Sequence, residues 1–224
     1  QSDRDIQGTG AAPAVITITE TDPYDYGNVT QGATANHIFT LTNTGAVDAT
    51  LVGGSGLAAP FTFTGGSYPG TAGTCGATII GGASCFIDVS FSPTAPAVSN
   101  DTIDIDYNDG VGLVTSSRDV VGTEITPALI TITETDPYDY GLVANGGNAS
   151  HLFTLTNTGA SVATALTEIG LAAPFDFAGG GYPGTGGDCG VSLAAGASCD
   201  IVIDFDPVGL GAFGDTIEIQ YNDG

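Results

Sequence analysis

Residues 37–45, His-Ile-Phe-Thr-Leu-Thr-Asn-Thr-Gly, and residues 151–159, His-Leu-Phe-Thr-Leu-Thr-Asn-Thr-Gly, differ at one position and lie 114 residues apart. In each, Phe and Leu alternate with Thr, the period-two pattern of a strand with one buried face. Asn-Thr-Gly then reads as a turn. Outward from this stretch the same offset persists. Thr21-Asp22-Pro23-Tyr24-Asp25-Tyr26-Gly27 returns at 135–141, Cys75 returns as Cys189, and Tyr107-Asn108-Asp109-Gly110 returns at 221–224. Residues 11–110 align on 125–224 without a gap, with 59 of the 100 positions identical. A repeat that keeps its loop lengths marks two copies of one domain.

The rest of the first copy reads as short strands. Ile16 to Thr19 ends at the Asp22-Pro23 turn. Ala49 to Val52 and Phe61 to Phe63 follow, and Gly65 to Gly76 is a glycine-rich loop. In Phe86 to Phe91, the residues Ile87, Val89 and Phe91 point inward. Ile103, Ile105 and Tyr107 do the same, with Asp104 and Asp106 outward, and Val111 to Gly122 is the closing strand. No stretch carries helical periodicity. About seven short strands in a period of this length predict an all-β chain of two tandem sandwiches.

The 224 residues include 25 acidic side chains but only two basic ones, Arg4 and Arg118, for a net charge of −23. That balance excludes nucleic acid and anionic lipid as partners. No apolar run is long enough to cross a bilayer, so no membrane insertion is expected, and any secretory leader is expected to have been removed. Cys75 and Cys85, like Cys189 and Cys199, are spaced C-x9-C. An even count at matched spacing predicts one local disulfide per domain and an oxidising, extracellular setting. Zinc would call for closer pairs of soft ligands.

The run Thr74-Cys75-Gly76, then Gly82-Ala83-Ser84-Cys85, then Ile87, Val89 and Phe91-Ser92-Pro93 resembles the bacterial choice-of-anchor D type domain. That group is similar to the immunoglobulin-like domains of the ASPM–SPD-2–hydin class. Tyr26 to Val29, Phe39 to Gly45 and the closing segments Val120 to Glu124 and Ile6 to Gly10 complete the pattern. The resemblance covers nearly the whole chain, twice. It implies immunoglobulin-like sandwiches that serve as spacers or repeats in surface proteins.

The phase of the repeat is its most informative feature. Residues 1–10, QSDRDIQGTG, match 115–124, TSSRDVVGTE, at the same offset, with five of ten identical. The chain is therefore expected to divide into an orphan closing strand (1–10), a complete domain (11–124) and a domain lacking its final strand (125–224). A sandwich without that strand exposes an edge and a slot of core. Arg4, Asp5, Ile6, Gln7, Gly8 and Thr9 have the sequence of a donor strand for such a slot, with Ile6 taking the place of Val120. Donation head-to-tail between copies builds an open fibre. The function expected is a structural subunit of an extracellular filament or cell-surface stalk, a homopolymer of itself. The alternative is an adhesin stalk or glycan- or protein-binding module excerpted from a long tandem array, in which the preceding repeat supplies the strand covalently.

Catalytic chemistry is not expected. His37 and His151, the two histidines, are repeat equivalents on a scaffold strand, and the glycine-rich loops lack the Gly-Lys-Ser/Thr of a phosphate cradle. No cofactor is expected beyond one cation. Ca²⁺ takes oxygen ligands from turns, and Asp22, Asp25, Asn108 and Asp109 recur as Asp136, Asp139, Asn222 and Asp223. The same residues are also ordinary turn formers, and both readings stand at this point. Asn28, Asn100 and Asn148 lie in N-x-Ser/Thr sequons.

Overall fold

The computed structural model describes residues 2–224 and divides into two compact units, Gln1–Glu124 and Ile125–Gly224. Gln1, the first residue of the expected donor segment, lies outside the described residues. The first unit contains β1 (Ile16–Ile18), β2 (Tyr24–Thr30), β3 (Ala35–Asn43), β4 (Ala49–Ser55), β5 (Phe61–Phe63), β6 (Thr78–Ile79), β7 (Ser84–Phe91), β8 (Val98–Asn108) and β9 (Leu113–Ile125). The second contains β10 (Ile130–Ile132), β11 (Ala149–Asn157), β12 (Ala163–Ile169), β13 (Phe175–Phe177), β14 (Ser192–Leu193), β15 (Ser198–Phe205) and β16 (Glu218–Asn222). Every regular element among the described residues is a strand.

In the first unit the sheet β1-β3-β7-β5 faces the sheet β2-β9-β8-β4-β6. Alternation decides which residues fill the space between them. Phe39, Leu41, Ile87, Val89, Phe91, Ile103, Ile105 and Val120 are all fully buried. These are the inward positions expected from the sequence. Each such side chain contributes about 1.5–3 kcal/mol by leaving water. The closing strand starts and ends later than expected, at Leu113 and Ile125, and β6 was not anticipated. A further difference is β2, which the sequence reads only as the sequel to a turn. Tyr24–Thr30 becomes a strand because β9 lies beside it.

Asn43 is not merely a turn residue. It occupies the same face of β3 as Phe39 and Leu41 and is 0% exposed. Its Nδ2 donates to the carbonyls of Val47 (2.9 Å) and Ile79 (3.0 Å), and its Oδ1 accepts from the backbone of Val15 (3.1 Å) and Gly45 (3.0 Å). Asn157 repeats the set with Ser161, Leu193, Leu129 and Gly159. A buried amide with all four bonds made ties three chain segments together, and removing it strands donors and acceptors that water cannot reach. Gly45 follows because a Cβ there would collide with the Pro13 carbonyl. Asn43→Ala is expected to lower the stability of the first unit by about 3 kcal/mol, read from its denaturant midpoint.

Cys75–Cys85 and Cys189–Cys199 are disulfides, each closing a short local loop. Such a link stabilises by about 2–3 kcal/mol, and the pair fits an oxidising compartment.

Candidate functional site

The second unit repeats one sheet and not the other. Its sheet β10-β11-β15-β13 matches β1-β3-β7-β5 strand for strand. The facing sheet is only β14-β12-β16. Among residues 125–224 nothing occupies the place that β9 holds in the first unit. Both neighbours of that place lose their regularity. Residues 138–144, the counterpart of β2, form no strand, and β16 starts at Glu218, whereas β8 runs from Val98. A strand persists where its backbone partners persist.

What remains is an open groove of about 380 Å³. Its floor is core: Phe153, Phe175, Ile203 and Ile217, flanked by Ile132 and Tyr140. The groove continues past Phe205 and Phe213 toward Leu210. Side chains that β9 covers in the first unit are uncovered here. Ile18 is 4% exposed but Ile132 is 36%, and Ile103 and Ile105 are buried whereas Ile217 and Ile219 are half-buried. The ring stack at the floor is kept: Phe61–Phe91 at 4.7 Å becomes Phe175–Phe205 at 4.8 Å. Tyr140 donates its hydroxyl to the Ile203 carbonyl (3.0 Å), as Tyr26 does to Val89 (2.9 Å). Burial, with Tyr138 and Asp204 close by, pushes the Tyr140 phenol up. At the groove wall, backbone donors from Ala172 and Thr216 hold the Asp215 carboxyl below its usual range.

The two copies differ around the groove mouth. Asn28, Thr94, Pro96 and Ser99 of the first unit are Leu142, Val208, Leu210 and Phe213 in the second. All four apolar replacements are exposed. Sequence reasoning missed this, although aligning the copies reveals it.

Residues 2–10 form no strand and are exposed throughout, with Ile6 at 92%. Arg4, Asp5, Gln7, Gly8 and Thr9 are exposed with it.

A family model for the HYDIN/CFA65/VesB-like Ig-like domain matches residues 17–117 and again 132–224. The chain belongs to this family. The matched domain is an immunoglobulin-like, non-catalytic type, and both copies in this chain have the sandwich sheets described above. Solved structures to which this chain is similar include the VesB protease of Vibrio cholerae, 16% identical, with a TM-score of 0.40 over 50% of this chain and 32% of that one. The chain thus spans about a third of that protease's length. The human CEP192 PapD-like domain 7 is 15% identical, with a TM-score of 0.38 over 56% of this chain and 94% of that one. A chaperone–tip adhesion subunit complex from Acinetobacter baumannii Csu pili is 11% identical, with a TM-score of 0.31 over 94% and 98%. No curated protein matches the chain.

The eight residues named as candidate Ca²⁺ ligands fall four in each unit. Among the described residues no three His, Cys, Asp or Glu side chains converge to hold a metal. Five of the eight accept from the backbone of their own turns. Asp25 accepts from Gly27 N (2.7 Å), Asp139 from Gly141 N (2.7 Å), Asn108 from Gly110 N (2.8 Å) and Asn222 from Gly224 N (3.0 Å). Asp109 caps Val111 N (2.7 Å) and Gly112 N (2.8 Å). Asp223 offers its backbone carbonyl to Ala128 N (2.9 Å). Asp22 pairs with Arg118 (3.3 Å), and its counterpart Asp136 stands exposed on the groove wall.

Proposed function

We propose that this protein is a structural subunit of an extracellular filament or surface stalk, built by strand complementation. Residues 4–9 of one copy lie in the groove of the second unit of the next. The observation that carries this reading is the groove itself. It corresponds, wall by wall, to the bed that β9 fills in the first unit, and residues 2–10 are that strand's own sequence counterpart, unpaired. In the first unit β9 runs antiparallel to β8, from Val98 opposite Thr123 to Asn108 opposite Leu113. The repeat offset places Ile6 opposite Asp215, with its side chain over Phe153 and Phe175. A strand added there restores backbone bonds to both neighbours and buries apolar surface on one face.

Donor and acceptor are different surfaces of one molecule, so the contact is heterologous and propagates. The apolar rim supports the same reading. β9 ends beside loop 94–98, where Glu124 N meets the Ala97 carbonyl (3.0 Å). The matching loop of the second unit carries Val208 and Leu210, at the end where a donor's own first domain would begin.

Electron microscopy together with a denaturing gel tests the proposal. The full chain is expected to form long fibres that dissolve to single-chain bands. The chain lacking residues 2–10 is expected to stay short and soluble. Long fibres from that deletion overturn the proposal.

A further inference from the structure

The only two cations of the chain, Arg4 and Arg118, occupy the same position of the repeat. In the first unit that position is a clasp. Arg118 projects inward from β9, its side chain 15% exposed. Its Nη2 donates to the Ile18 carbonyl (2.6 Å) and its Nη1 lies 3.3 Å from the Asp22 carboxylate. Asp22 also accepts from the β9 backbone at Asp119 N (3.2 Å), and Asp119 in turn accepts from the Thr102 hydroxyl (2.7 Å). Four residues on, Gly122 crosses the Phe91 ring so closely that a Cβ would sit 2.5 Å from it. Between clasp and glycine, Val120 is 0% exposed. Guanidinium, apolar plug and bare backbone therefore follow at every second residue along one face of the strand.

The same three parts occur at Arg4, Ile6 and Gly8, and the second unit has their receptors. Ile132, Asp136 and Thr216 line the groove, and Phe205 lies at its far end. We infer that Arg4 and Gly8 set the register, and hence the partner selectivity, of complementation. Arg4 clasps the Ile132 carbonyl and Asp136, and Gly8 passes over Phe205. This rests on the strand-complementation reading. The three parts leave one register open. Because side chains alternate, a one-residue slip turns Ile6 out to solvent. A two-residue slip one way drives Ile6 onto the Phe205 ring and puts the Arg4 guanidinium into the apolar slot, where an unpaired charge is costly. A two-residue slip the other way leaves Gly8 in the slot, so that it is unfilled, and brings Ile6 rather than a cation to Asp136. In a chain without another cation, the clasp also rejects strands that lack an arginine two residues before the plug.

The test uses the full chain carrying Ile6→Asp as acceptor, since it keeps the groove but cannot donate. The probe is a labelled synthetic peptide of residues 2–12, with binding read by fluorescence anisotropy. The wild-type peptide is expected to bind. Arg4→Ala is expected to bind about tenfold to a hundredfold more weakly, as for loss of a charged hydrogen-bonded pair. Gly8→Val is expected not to bind. A peptide with Asp5→Cys is expected to form a disulfide with acceptor Thr216→Cys and not with Gly214→Cys or Glu218→Cys. Failure of the wild-type peptide to bind overturns complementation itself. Wild-type binding with undiminished Arg4→Ala and Gly8→Val affinity, or trapping at 214 or 218, overturns the register and leaves complementation standing.

Discussion

Replacing Ile6 by Asp is expected to stop fibre growth while leaving each unit as stable as before. Ile6 touches almost nothing within its own chain, being 92% exposed, so the change costs the isolated subunit nothing. In the proposed assembly the same side chain fills the slot that Val120 fills in the first unit, where exposure is 0%. Two losses then add. The isobutyl-sized burial of Ile, about 1.5–3 kcal/mol, disappears. A carboxylate must either enter an apolar floor of Phe153, Phe175 and Ile203, at a cost of several kcal/mol, or hold the strand out of the groove. Each 1.4 kcal/mol is tenfold in affinity, so a weakening of at least about a thousandfold is expected. Sedimentation velocity and microscopy read the assembly, and thermal melting reads the units. Fibres of normal length from Ile6→Asp, with unchanged melting, would mean that another segment fills the groove. Arg4→Ala is expected to act in the same direction but more mildly, since it removes a clasp and leaves the plug.

The second large effect concerns the equivalent change in the strand already in place. Val120→Asp is expected to destabilise the first unit by about 4 kcal/mol or more, as for an unpaired charge forced into a packed interior. β9 would leave its bed. β2 would then lose its partner, as residues 138–144 lack one in the second unit, and β8 would fray over Val98 to Thr102, as residues 212–216 do. Amide hydrogen exchange checks this residue by residue. Protection is expected to vanish from Tyr24–Thr30 and Leu113–Ile125 while the sheet β1-β3-β7-β5 keeps more of its own. Protection at its original level in β2 would show that β9 contributes less to that strand than the comparison of the two units indicates.

Much of this was legible beforehand because it rests on local chemistry. The inward residues of β3, β7 and β8 follow from period-two alternation, which no tertiary contact is needed to read. The pairing Cys75–Cys85 follows from proximity along the chain. Asn43 was half legible. Its place two residues beyond Leu41 puts it on the buried face, but an Asn-Thr-Gly motif reads more naturally as a turn, and only the partners at Val15, Val47 and Ile79 show why an amide is needed there. The partner of Asp22 was not legible for the same reason. An aspartate before proline gives no hint that an arginine far along the chain, Arg118, will reach it.

By itself, the sequence determined the number of domains, their sandwich class, the identity of the core and the match between residues 1–10 and 115–124, because repetition and alternation are written residue by residue along the chain. Only the tertiary structure decided that Tyr24–Thr30 is a strand whereas the nearly identical 138–144 is not, that Gly122 is needed beside a ring, and that an open bed lies between Ile132 and Ile217. Those features depend on what stands across from a residue rather than beside it. Backbone hydrogen bonds and packing contacts are made between segments, so two copies of one sequence can differ in structure wherever one of them has a neighbour that the other does not.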